Sequence, residues 1–179
     1  PGDYKVKPFV FGDIVTALNQ TVPYDWASFL DTRINKPAPT LNLNGFTNNG
    51  YRLTYTDKQN DYLKSVEDSN LDLSYSLGMT VNKDAKVTAV MWDSPAFQNG
   101  ITVGTKILSV NGRAYSKDAL KDAITAVKGS KNPIKFILQK GDYYENLDLA
   151  YQGGLRYPVL EKIGGGESGL DRLLKPQTP

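Results

Sequence analysis

Histidine and cysteine are both missing from this 179-residue sequence. Without histidine there is no Ser-His-Asp or Cys-His pair for nucleophilic catalysis and no His-Glu-x-x-His zinc helix. Without cysteine there are no disulfides and no thiolate chemistry. That leaves the compartment open, because many periplasmic proteins also lack cysteine. No apolar run approaches the roughly 18–20 residues of a membrane span. No signal peptide is visible, and the chain begins at Pro1, which reads as a mature or excised fragment. No long basic run occurs either. With 21 Lys and Arg against 19 Asp and Glu, the net charge is only +2, so nothing directs the chain to nucleic acid. The carboxylates are scattered, with no pair singled out by spacing for acid–base work. An independent enzyme is therefore disfavoured, and no cofactor is expected in this chain.

What is present is an ordinary globular composition, 40% hydrophobic and 22% charged, long enough for one domain or a domain with an appendage. Residues 1–10 carry Pro1, Gly2 and Pro8 and read as extended. Gly12 and Asp13 read as the cap of a first helix carrying Ile14, Ala17 and Leu18, ended by Val22-Pro23. Asp25 caps a second, with Trp26, Phe29, Leu30 and Ile34 at helical spacing. Pro37 and Pro39 break the chain, and residues 41–55 read as extended segments, with Asn44-Gly45 and Asn49-Gly50 as turns. A polar helix follows from about Asp57 to Val66, then a loop at Glu67-Asp68-Ser69-Asn70.

From Leu71 the signals are dense. Residues 79–81 and 86–92 read as strands, Asp93 or Ser94 caps a short helix with Pro95 at its first position, and Gly100 stops it. Residues 106–110 and 113–115 flank the hairpin dipeptide Asn111-Gly112. Ser116 caps a helix over 117–127 whose core stripe is Leu120, Ile124 and Val127. Ala119, Ala123 and Ala126 form a smaller face, rotated away. Residues 134–139 and 144–150 close with a hairpin. The tail from Tyr151, interrupted by Gly153-Gly154 and Gly164-Gly165-Gly166, reads as mostly irregular, with one helical turn at Leu170, Leu173 and Leu174.

The ordered set Leu77-Gly78-Met79, Val87-Thr88-Ala89-Val90, Asp93-Ser94-Pro95-Ala96 and Asn111-Gly112 resembles a PDZ domain. The implied class is α+β: a PDZ-like small antiparallel β-barrel or sandwich with two helices, plus an N-terminal helical segment. The flanks narrow the resemblance. Pro23-Tyr24-Asp25-Trp26, Tyr51-Arg52-Leu53-Thr54-Tyr55-Thr56-Asp57, Tyr75-Ser76-Leu77-Gly78, Trp92-Asp93-Ser94-Pro95-Ala96-Phe97 and Gly153-Gly154-Leu155-Arg156-Tyr157-Pro158 resemble the C-terminal part of the glycyl aminopeptidase family of zinc metallopeptidases. The resemblance implies a non-catalytic fragment: residues 1–40 the last helices of a catalytic domain, 41–70 a connector, 71–150 the PDZ domain and 151–179 a tail packing on the body. Zinc would belong to the parent's catalytic domain, which is also an implied partner. A bacterial setting follows, with the periplasm ranking ahead of the cytoplasm.

Two functions are then expected to compete, the first ranking ahead of the second. In the first, an extended peptide adds as a strand beside Met79, Thr80 and Val81, with Ser76, Leu77 and Gly78 supplying turn amides that converge on its end and Ala119 and Ala123 lining the far wall. In the second, the domain is structural, shaping access to the catalytic domain, its groove empty or filled by the chain itself. Ser76 stands where many such loops have glycine, and no basic residue lies between Val66 and Met79. Glu67, Asp68 and Asp72 would repel a peptide carboxylate, so a free C-terminus is not the expected ligand.

Overall fold

Alternation of buried and exposed residues sorts the strands of the computed structural model, which describes residues 8–37 and 41–176. The expectations for residues 1–7 and Pro39 lie outside the described residues. The chain divides into two compact units, Pro1–Gly45 and Phe46–Pro179.

The second unit holds the core. A three-stranded sheet has the order β2 (Asn70–Leu73), β3 (Met79–Asn82), β4 (Val87–Val90). A four-stranded sheet has the order β6 (Arg113–Ala114), β5 (Lys106–Val110), β7 (Ile134–Lys140), β8 (Tyr143–Leu149). Every pairing among the described strands is antiparallel. The helix α6 (Lys117–Ala126) contributes Leu120, Ala123 and Ile124 to a single apolar cluster shared with both sheets. Ser116 caps α6 by accepting the Ala119 N–H. Before it, Ser94 caps the short α5 (Pro95–Gln98) by accepting the Phe97 N–H, as the Ser-Pro dipeptide implies. The α+β class with antiparallel sheets and N-terminal helices is the one expected.

Three local readings are corrected. The stretch read as extended contains a short helix, α3 (Asn44–Thr47), before strand β1 (Tyr51–Thr56). The polar helix α4 (Asp61–Val66) starts later than Asp57, because Asn60 rather than Asp57 accepts the Leu63 N–H. The tail is not irregular: Tyr157–Lys162 forms β9, paired along its length with β1, and Gly169–Leu174 forms α7. Asp171 joins these pieces, accepting from Tyr51 Oη at 2.5 Å and from Lys162 Nζ at 2.5 Å. The Lys162 hydrogen bond, then that of Tyr51, holds its carboxyl well below the usual carboxylate range.

The first unit carries α1 (Phe11–Thr21) and α2 (Trp26–Ile34). Asp25 caps α2 as expected, accepting the Ser28 N–H at 3.1 Å. Asp13 acts one turn inside α1 rather than ahead of it, its carboxylate reaching back to the Val10 N–H at 3.0 Å. Tyr24, Trp26 and Phe29 meet edge to face, with the Arg33 guanidinium 3.6 Å over the Phe29 ring. No residue of either helix is buried.

Candidate functional site

β3 is the strand on which a peptide is expected to add, and both of its edges are taken. β4 pairs along one edge, with an irregularity between Thr80 and Val81. β2 pairs along the other, in the register Leu73 to Met79, Leu71 to Val81 and Asn70 to Asn82. This corrects the reading of Met79, Thr80 and Val81 as an open edge. The loop read at residues 67–70 feeds a strand because Leu71 and Leu73 alternate with Asn70 and Asp72, and both leucines are fully buried.

Two of the three turn amides are also engaged. Ser76 N–H and Gly78 N–H both donate to the Leu73 carbonyl oxygen, at 3.0 and 2.9 Å. The nest expected to hold a ligand's carboxylate therefore holds a carbonyl of the same chain. The turn is braced from the far side. Ala96 N–H donates to the Leu77 carbonyl at 2.9 Å, Met91 N–H to the Gly78 carbonyl at 2.8 Å, and the Ser94 hydroxyl to the same oxygen at 3.3 Å. Ser76 is buried, and its Oγ accepts the Arg156 N–H at 3.0 Å, tying the tail to the turn. Arg156 also lies over the Tyr55 ring, which packs on Tyr75.

Residues 67 and 68, immediately ahead of β2, are held by α6. Lys121 Nζ lies 2.5 Å from Glu67 Oε1, with both residues half-buried. Lys117 Nζ donates to the carbonyls of Glu67 and, at 2.9 Å, Asp68. Burial pulls the Lys121 ammonium down, but the Glu67 hydrogen bond and the charges of Glu67 and Asp118 outweigh it and hold it above its usual value. Burial, then the charge of Glu67, pushes the Tyr115 phenol up to about 12 and raises Tyr157 in the same way. Both phenol oxygens are buried without a hydrogen-bond partner among the described residues.

Ala119 and Ala123 are buried, Ala123 as part of the apolar cluster that also holds Leu71 and Leu73. They lie two residues on from Lys117 and Lys121, about 200° around the helix. They border a shallow depression with Val110, Asn111, Arg113 and Asp122. Of the acidic residues that looked hostile to a ligand, Glu67 has its carboxylate paired with Lys121, a lysine that sequence reading did not select. The i,i+4 spacing of Lys117 and Lys121 was a signal, but one without meaning until β2 had a place. Among the described residues no cluster of three or more His, Cys, Asp or Glu is placed to hold a metal. No helix among them is long and apolar enough to cross a membrane.

Comparison with known proteins agrees with this architecture. Residues 63–139 match the family model described as PDZ domain. The chain is 31% identical over 108 residues to a "Probable periplasmic serine endoprotease DegP-like" of Pseudomonas putida, a match covering 60% of this chain but 22% of that protein. A solved aminopeptidase N family protein from Idiomarina loihiensis superposes over 84% of this chain and 26% of its own, with a TM-score of 0.53 and 16% identity. An HtrA3 PDZ domain bound to a phage-derived ligand covers 62% of this chain and 92% of its own, with a TM-score of 0.32 and 17% identity. The chain thus spans about a quarter or less of the two larger proteins.

Proposed function

We propose that the PDZ domain at residues 63–139 carries its own strand in the peptide position, and that it serves as a structural module of a larger peptidase rather than as a receptor for free C-termini. The observation that carries this is the central position of β3, with the Leu73 carbonyl on the Ser76 and Gly78 amides. A free peptide would have to displace Leu71 and Leu73. Burial of each contributes roughly 1.5–3 kcal/mol, and a strand tethered through a short turn competes at high effective concentration.

The parent is read as a glycyl-aminopeptidase-like zinc metallopeptidase. Support comes from the order of the flanking motifs and from a fold shared with an aminopeptidase N family protein over most of the chain. Its zinc site would lie in sequence outside these residues, since this chain has no histidine. A bacterial periplasmic setting belongs to the same reading, supported by the name of the DegP-like relative.

The test is a display screen of random peptides with free and with amidated C-termini against the 179-residue chain, beside hydrogen exchange of the Met79, Thr80 and Val81 amides. The expected result is no ligand tighter than about 100 µM, on the order of −5.5 kcal/mol, with slow exchange throughout β3. Sub-micromolar binding that needs a free carboxylate would sink this reading.

A further inference from the structure

The segment that fills the groove also reports what the groove recognises. β2 runs towards the Leu77-Gly78 turn, antiparallel to β3, and finishes with its last carbonyl on the turn amides. It inserts Leu71 and Leu73 into the core and leaves Asn70 and Asp72 exposed. Four residues ahead of Leu71, Glu67 sits on Lys121, and the backbone there sits on Lys117. Nothing in this arrangement uses a chain terminus. The acid-binding end has spare capacity as well: Tyr157 is 4% exposed, and its hydroxyl, like that of Tyr115, is buried without a partner among the described residues.

We propose that the groove between β3 and α6 is a site for an extended internal peptide of the pattern Glu-x-x-x-Leu-x-Leu, that residues 67–73 occupy it in cis, and that the Lys117 and Lys121 contacts to Glu67 and Asp68 are the latch whose release admits a segment of the same chemistry from another chain. The proposal rests on the reading of β2 as a strand in the peptide position. It adds the ligand's chemistry and the element that controls access. Leucines alone would not give the groove selectivity, because any apolar strand offers them. The half-buried Lys121 ammonium favours a carboxylate at one fixed distance along the strand, and an uncharged or basic residue there leaves it only the more distant, exposed Asp118. Glu67 also differs from the leucines in being outside the apolar core, so it can be exchanged without a cavity.

The experiment uses the full chain and a fluorescein-labelled synthetic peptide with the sequence of residues 66–74, amidated at its C-terminus. Wild type is compared with Glu67→Ala and Glu67→Lys. Both substitutions remove the side-chain half of the cis latch, the Glu67 carboxylate on Lys121, and leave Lys121 free for the labelled peptide. The expected result is binding to both variants at least about tenfold tighter than to wild type, a difference of about 1.4 kcal/mol. Reversing the charge of the peptide's own glutamate should weaken that binding by at least about tenfold. A second chain adds Asn70→Cys and Asn82→Cys to Glu67→Ala. These residues face each other across β2 and β3, and the chain has no cysteine of its own. Oxidation should abolish peptide binding, and reduction should restore it.

The proposal is overturned if the Glu67 variants fold, by circular dichroism, and bind no better than wild type. It is also overturned if binding is indifferent to the peptide's glutamate, or if neither variant folds, since β2 would then not be a removable occupant. The reading of a self-filled groove fails separately, if the wild-type chain itself binds free peptides tightly.

Discussion

Gly78 adopts φ +77°, a region in which an L side chain is strained, and a Cβ built on it would lie 2.0 Å from the Ser94 Cβ. Two independent constraints therefore fix glycine here, and Ser94 cannot retreat without losing its cap on α5 and its bond to the Gly78 carbonyl. Gly78→Ala is expected to destabilise the chain by about 2–4 kcal/mol, read from the denaturant midpoint. Any substitution at this position consequently tests the fold rather than ligand binding. Small residues such as Ala119 and Ala123 suit a groove wall, but the face a helix presents depends on where its neighbours lie in three dimensions. Glu67 and Asp68 looked like a repulsive face, yet the Glu67 carboxylate is paired with Lys121 and the Asp68 backbone carbonyl accepts from Lys117.

Among the elements, β2 occupies the β3 edge on which a peptide is expected to add. It is only four residues long, alternates two leucines with two polar residues, and was hidden behind an acidic loop signal. Its energetics separate by face. Leu71→Ala should cost about 2–4 kcal/mol, since the side chain is wholly buried and the core relaxes only partly around the cavity. Asp72→Ala, on the exposed face of the same strand, should change stability by no more than about 0.5 kcal/mol. Urea denaturation of the two variants measures the difference. Equal costs would mean that β2 does not insert its leucines as described. β9 was missed for a related reason. Its sequence has little of the alternation that marks a half-buried strand, and its partner β1 lies about a hundred residues earlier, so the signal for pairing is not local. The closing β7–β8 hairpin was readable because turn and both strands are contiguous.

At the scale of the whole molecule, the apolar cluster among the described residues has all its members from residue 71 onward. In that first unit Phe9 is 72% exposed, and Phe11, Ile14, Val22, Tyr24 and Ile34 are exposed as well. Removing residues 1–45 is therefore expected to leave the melting temperature of the remainder within about 4 °C, a change of about 1 kcal/mol or less for a domain of this size. Sedimentation should show the full chain self-associating at high concentration and the shortened chain staying monomeric, because exposed apolar surface on this scale favours association. A full chain that stays monomeric throughout would remove the case for a docking surface on these helices.

Periodicity, caps and turn dipeptides are local, and they determined most of this protein by themselves. The N-terminal helices, the Ser94-Pro95 and Ser116 starts, the Asn111-Gly112 hairpin, the α6 core stripe and the α+β class can all be read from residues a few positions apart. The absence of histidine likewise excluded whole families of catalysis before any fold was known. What only the tertiary structure decided is occupancy. Whether the β3 edge is open depends on where residues 70–73 go, and β2 lies along it with Leu71 and Leu73 in the core and with Glu67 held by two lysines fifty residues further along the chain. A strand's unpaired edge is satisfied by whichever segment reaches it with matching side chains, and that competition is settled by packing in three dimensions.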